Sequence, residues 1–516
     1  MKKKIKEYTP SKFLYIILFL LPVLYIITYT KSLDNDIWYL LSEGRYIVNH
    51  GIYHIDPLSM HKGLEVTVQN WASASLFYLI FKLFGEYGIF CTILICDIAI
   101  SYLLYKICTL ISDNNKLLSL ICAFVTNLLL VFNYMVSRPQ IFSFILLLGV
   151  IYVLELYVKT EDKKYLRWLP ILSIIEANIH GSLWFMIFLF ALPYIIDGIK
   201  CKTLKFQGYK LKPLLIYLGI AFVCGLINPY GYKMITFIFT SFTDTYMHKF
   251  ILELFPLGFN STLGKMIFCL GLFVMLCYAY FKEGKIRVRY LCLFSGTLIL
   301  GVSTLKACSH FILVSIFPLA YFFKDIFPKD FGDLIEIIKP LRKVFLALSI
   351  LLIACIGYSF YLIGPRLKLD SDIGDCVQAI KDTYGNDAIV FSTFNHGGTV
   401  EYYGLKPYID PRAEVFLKIN NKKDDIFKEF FDFYNNDIKL SKLLEKYHFT
   451  HAIVDVTSSY YQKFIDEDFI VIYIPDATVE GDTSVESNFR ALASKDILSE
   501  EEIEYYSTLN KKDITE

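Results

Sequence analysis

Apolar stretches long enough to cross a bilayer recur along this 516-residue chain, and no soluble core absorbs so many of them. They fall near residues 13–31, 88–111, 117–136, 139–158, 166–180, 182–198, 212–228, 264–281, 288–305, 309–324 and 342–362, about eleven in all. In hydrocarbon a peptide group finds no water, so a spanning segment must close its hydrogen bonds on itself, as a helix does. A composition 55% hydrophobic and 17% aromatic agrees. The pattern predicts a polytopic α-helical membrane protein with about eleven transmembrane helices. The first stretch begins after Lys12, outlasts a signal-peptide core and precedes no small-residue cleavage site, which predicts a retained helix.

Charge in the connecting loops orients these spans. Residues 1–12 are basic, and so are alternate loops: Lys159, Lys163, Lys164 and Arg167; Lys200, Lys202, Lys205, Lys210 and Lys212; Lys282, Lys285, Arg287 and Arg289; Lys324, Lys329, Arg342 and Lys343. Basic loops stay in the cytoplasm. The alternation predicts an odd number of crossings in the cell membrane, with the N-terminus cytoplasmic and the C-terminus outside. From about Arg366 the composition turns charged. AIVFST (388–393), HAIVDV (451–456) and FIVIYI (469–474) read as buried strands and the segments between them as helices, with a weakly patterned acidic end from about Gly481. The expected division is a transmembrane domain, 1–364, carrying a first outer loop at 32–87, and a small extracytoplasmic α/β domain at 365–516. Two non-spanning helices are expected in that loop, at about 36–49 and 70–84. A net charge of +1 gives no reason to expect nucleic acid, and the 12 cysteines lack the CxxC spacing of a metal site or disulfide framework.

With this topology the unusual polar residues fall on one side. Asp34 and Asp36 follow the first span, in a loop that also holds Arg45, Asp56 and Trp71. Ser137, Arg138, Pro139 and Gln140 lie at one outer turn, Glu176, Asn178, His180 and Gly181 at another, Asn228 to Gly231 (NPYG) at a third, and Lys306, Ser309 and His310 at a fourth. A carboxylate at such a rim can act as a general base on an acceptor hydroxyl or help hold a divalent cation such as Mg or Mn. Arg138 and Lys306, with Arg45, suit a phosphate or diphosphate leaving group. Trp38, Trp71, Trp184 and Tyr230 offer faces to a sugar or a polyprenyl chain. Structural readings stand beside these. Arg138-Pro139 also marks a helix start, Asn228 to Gly231 a helix stop, and Glu176 with His180 an i, i+4 pair. Asp97 reads as a polar contact between spans.

The run DIWYLLSEGRYIVNHGIYHIDPLS…QNWASASLFYLIF, with Ser137–Gln140, Asn178–Gly181 and Asn228–Gly231, resembles a bacterial group of GT-C-type integral membrane glycosyltransferases. Phe394, Gly397, Gly398, Asp410 and Arg412 are similar to the segment found in their tails. The resemblance implies a GT-C-like fold and a sugar carried on polyprenyl phosphate. Transfer would occur at the outer face, to a glycan, lipid, protein or cell-wall acceptor. It also implies that the first-loop acid, Asp34 or Asp36, is the catalytic base. Arg45, Asp56, Trp71, Arg138, Gln140, Asn178, His180, Asn228, Tyr230, Lys306 and His310 are the expected substrate-binding residues. Asp410 and Arg412 also read as a structural salt bridge. Two rival functions are carried: a transporter or flippase of lipid-linked sugars, and a non-catalytic GT-C-like assembly protein.

Overall fold

The computed structural model describes residues 33–199, 207–242, 244–280, 287–328, 371–475, 478–480, 483–485 and 487–515. The expected spans at 13–31 and 342–362 lie outside these residues. So do the basic residues of 1–12, and Lys200, Lys202, Lys205, Lys282, Lys285, Lys329, Arg342 and Lys343.

The helices run in chain order as α1 (Asp36–His50), α2 (Trp71–Ile111), α3 (Lys116–Asn133), α4 (Gln140–Thr160), α5 (Trp168–Ile179), α6 (Met186–Asp197), α7 (Leu211–Cys224), α8 (Tyr232–Phe242), α9 (Thr245–Phe250), α10 (Thr262–Tyr280), α11 (Val288–Ser303), α12 (Leu305–Ser315), α13 (Phe317–Phe322), α14 (Ser371–Tyr384) and α15 (Gly397–Tyr402), followed by Lys418–Asn421, Ile426–Tyr434, Leu440–Tyr447, Ser459–Asp466 and Glu500–Thr515. Among the described residues, five helical stretches are long and apolar enough to cross a membrane: α2, α3, α4, α10 and Leu305–Phe322. α5, α7, α11 and Gly181–Asp197 are apolar but shorter. Helix α2 is broken at Gly85, whose φ of 62° and ψ of −152° no helix contains. The break separates the expected second loop helix from the expected span. The helices α8 and α9 fall where no element is expected from sequence.

Among the described residues the chain forms two units by contacts: 87–235 and 251–328 in the first, and 33–86, 236–250 and 371–515 in the second. The first loop thus groups with the tail, where the sequence pattern places it with the membrane body.

In the first unit α4 packs against α5 and α6, α6 against α11, and α11 against α12. One polar network fastens the C-terminal ends of α4 and α6 to the start of α11. Arg289 donates from Nε to Glu155 Oε1 (3.0 Å), from Nη1 to Asp197 Oδ2 (2.8 Å) and to Gln207, and from Nη2 to Glu155 Oε2 (3.3 Å). The Tyr194 and Tyr290 hydroxyls donate to the two Glu155 oxygens at 2.8 and 3.1 Å. Arg289 therefore differs from the solvated loop cation its position suggests, because two buried acids neutralise it in place of water.

The second unit is built on a sheet ordered β1-β2-β6-β3, from β1 (Val390–Ser392), β2 (His451–Asp455), β3 (Phe469–Tyr473) and β6 (Phe489–Ser494). β1 and β2 are parallel, and β6 is antiparallel to both of its neighbours. β4 (Thr478–Glu480) and β5 (Thr483–Val485) form a separate antiparallel pair. One face of the sheet lies in an aliphatic core with Ile373, Val377 and Ile380 of α14. On the other face the Phe391 ring meets Tyr408, Phe430, Phe449 and Phe464. Burial on both faces explains why the first three strands read as unbroken apolar runs. β6 lies beyond Gly481, in the part that reads as weakly patterned. Its small Ala491 and Ala493 carry little strand propensity, and pairing on both edges supplies what propensity lacks.

Candidate active site

Hydrogen bonds to backbone carbonyls join the four loop clusters of the first unit in pairs. The Tyr134 hydroxyl after α3 donates to the Leu305 carbonyl at 2.7 Å, and Gln140 Nε2 donates back to the Tyr134 carbonyl at 3.1 Å. Asn178 Nδ2 donates to the carbonyls of Ile174 (2.7 Å) and Ile227 (2.9 Å), joining the end of α5 to the end of α7. Asn228 closes the NPYG turn, donating to Gly225 and Gly231 and accepting from the Tyr230 amide at 2.9 Å. Tyr230 is buried, so Asn178, Asn228 and Tyr230 serve here as turn-builders. The stretch before α10 is tied in by Leu305 N–H to Phe255 O (2.9 Å) and Leu257 N–H to Val302 O (3.0 Å).

These ties bring Glu253 between two cations. Arg138, just before α4, ion-pairs with Glu253 Oε1, and Lys306, in the first turn of α12, lies 4.0 Å from Glu253 Oε2. Burial alone would raise the Glu253 carboxyl, but the Lys306 and Arg138 charges hold it below the usual glutamate value. The side chains of Arg138, Glu253 and Lys306 are 23%, 38% and 41% exposed, open enough for an incoming group to exchange with one of them. His180 sits in the field of Lys306 and His310, and its Nδ1 is 3.0 Å from the Ser143 hydroxyl of α4. His310 is buried edge-on to Phe144 and Phe190, and its Nε2 has no hydrogen-bond partner among the described residues. Glu176, one turn before His180, is buried with neither carboxyl oxygen so paired. Arg138 thus meets Lys306 through Glu253, and His180 lies near Lys306 and His310. Glu253 is the addition: it sits in an irregular stretch, LEL, where no periodicity marks an acid as special.

The first-loop residues belong to the second unit. Asp34 Oδ1 accepts the Asp36 amide at 3.0 Å, and Asp36 opens α1, where a carboxylate is favoured by the helix N-terminus. Both are partly exposed, as is Trp71 at the start of α2. Arg45 donates to the Glu401 carbonyl at 3.1 Å and lies over the Tyr402 ring. Trp38 is buried against Tyr402 and Tyr403, and Gly398 packs on Tyr39 where a Cβ would come within 3.0 Å of the backbone nitrogen.

Asp56 is buried in a cluster around Arg412. The guanidinium meets Asp410 twice (2.9 and 2.7 Å), Asp56 Oδ1 (2.8 Å) and Glu401 Oε1 (2.7 Å), with Glu43 Oε1 at 3.8 Å. One positive charge cannot balance four carboxylates. Burial pushes Glu43 up to about 8 against the pull of Arg412, and pushes Glu401 well above its ordinary value. Burial would also raise Asp56, but the Arg412 charge and Ser59 hold it low. Arg45 and Asp56 therefore fasten the loop to the 401–412 segment. Glu43 was detectable in the sequence, since it falls on the buried face of α1 with Leu40, Gly44 and Ile47. Among the described residues, no three His, Cys, Asp or Glu side chains form a group able to hold a metal.

The chain shares its fold with solved membrane glycosyltransferases, and five helical stretches among its described residues are long and apolar enough to cross a membrane. The chain is similar to the oligosaccharyltransferase of Archaeoglobus fulgidus tethered to an acceptor peptide with an NVT sequon, with a TM-score of 0.55 and 14% identity over 93% of this chain and 74% of that one. Its complex with Zn and sulfate gives 0.51 and 13% over 92% and 73%. ArnT from Cupriavidus metallidurans, bound to undecaprenyl phosphate, gives 0.50 and 10% over 93% and 97%. No family model matches the sequence, and no curated protein matches it.

Proposed function

We propose that the protein transfers a sugar from a polyprenyl-phosphate donor to a hydroxyl of a glycan, lipid, protein or cell-wall acceptor at the extracytoplasmic face. The observation that carries this reading is the Arg138–Glu253–Lys306 group, partly exposed at the end of an apolar bundle of GT-C fold. Arg138 binds a phosphate oxygen through its planar fork and Lys306 as a point charge. Asp36 or Asp34 takes the acceptor proton. The acceptor oxygen then bonds to the anomeric carbon as the carbon–oxygen bond to phosphate breaks, and the lipid phosphate leaves on Arg138 and Lys306. His180 and His310 line the leaving-group side. These roles presuppose the expected topology, with about eleven spans, a cytoplasmic N-terminus and an extracytoplasmic tail.

The test is sugar transfer by membranes carrying Asp34→Asn with Asp36→Asn. The reading expects transfer to fall at least about a hundredfold, the scale of a lost general base. Full transfer by that variant overturns the assignment of the base.

A further inference from the structure

Glu253 places a negative charge where a lipid phosphate would bind, and the reading above gives it no task. Its position is built in. The turn Leu252–Leu254 is followed by two backbone hydrogen bonds, at Phe255 and Leu257, to the junction of α11 and α12. That junction also carries Lys306, so acid and cation are fixed by one local structure. A carboxylate on Arg138 resembles a phosphate in shape and charge, since both accept from the guanidinium fork. With Glu253 present, the Arg138–Glu253–Lys306 group sums to one positive charge; without it, to two.

We propose that Glu253 is a specificity residue, an internal anion that tunes this site to donors with a single phosphate and disfavours diphosphate-linked ones. The inference rests on the glycosyltransferase reading and deepens it. A single sugar-linked phosphate, a diester with one negative charge, is matched by the residual positive charge. A diphosphate brings at least one more negative charge to within a few ångströms of the Glu253 carboxylate, and the repulsion falls on that lipid alone. At a half-exposed site a unit charge at about 4 Å is expected to change relative affinity roughly tenfold or more.

The experiment uses the full-length protein in lipid nanodiscs. It measures binding of polyprenyl phosphate, polyprenyl diphosphate and uncharged polyprenol to wild type, Glu253→Gln and Glu253→Asp. The expected result is that wild type prefers the monophosphate, Glu253→Gln shifts the ratio toward the diphosphate about tenfold, and Glu253→Asp keeps the wild-type order. The proposal is overturned if Glu253→Gln changes both affinities equally or neither, with Glu253→Asp confirming that the variants still bind. If wild type binds neither phosphate better than polyprenol, the phosphate site fails, and the donor reading fails with it.

Discussion

The two ends of α4 carry opposite solutions to the same problem, an arginine beside apolar helices. At the C-terminal end Arg289 is buried with Glu155 and Asp197, their side chains 8%, 4% and 1% exposed, and two tyrosine hydroxyls complete the network. At the N-terminal end Arg138 shares the half-exposed Glu253 with Lys306, while Glu176 and His310 keep polar atoms without hydrogen bonds among the described residues. A closed network holds helices together and offers nothing to a ligand. An open one, with exchangeable charge, is where a substrate can contribute a partner. Polar groups cost free energy wherever water is excluded, so the second arrangement is expected to persist for function and the first for architecture.

The largest effect should come from breaking the closed end. Arg289→Met leaves Glu155 and Asp197 buried without a cation, a loss of about 3–5 kcal/mol. Monodisperse protein on size-exclusion should nearly vanish, while Arg138→Ala should be recovered at wild-type yield. Equal yields for the two would erase the contrast. Arg412→Met extends the comparison to the second unit, since it strips the same kind of buried partner from Asp56 and Asp410. Limited proteolysis is expected to cut residues 51–70 in that variant well before wild type.

These networks also show how much the sequence reveals. The long apolar windows of α2, α3, α4 and α10 are legible because hydrocarbon demands length and little else. β1 to β3 are legible because a doubly buried strand needs an unbroken apolar run. Arg138, His180, Lys306 and His310 stood out in the sequence as polar residues at the ends of apolar runs. Arg289 was not, because a paired cation and a solvated one look alike as letters. Glu253 was not, because only hydrogen bonds at Leu257 and Leu305 bring its irregular turn to Arg138. Asp410 and Arg412 read correctly as a salt bridge, their i, i+2 spacing making it local. Asp56 joins it from some 350 residues away.

Proton linkage gives the next, smaller effect. Glu43 is held protonated in the folded state, with its carboxyl raised from 4.5 to about 8. The folded state then binds more protons than the unfolded one between those values. Stability from this group is present below about pH 4.5 and is lost as pH rises to about 8, by an amount on the order of a few kcal/mol. Thermal unfolding of the wild-type second unit should weaken across this range, and Glu43→Gln should flatten the slope. An unchanged slope would show that Glu43 does not carry the linkage.

The smallest stability effect belongs to the open end. Arg138→Ala and Lys306→Ala, singly, should each change unfolding by no more than about 1 kcal/mol, as expected of half-exposed ion pairs.

The most direct measurement is polyprenyl-phosphate binding to the Arg138→Ala, Lys306→Ala double variant beside wild type, with melting temperatures recorded on the same samples. Binding weaker by about a hundredfold at an unchanged melting temperature is predicted, the scale of two charge-assisted hydrogen bonds. Wild-type affinity in the folded double variant would contradict the account.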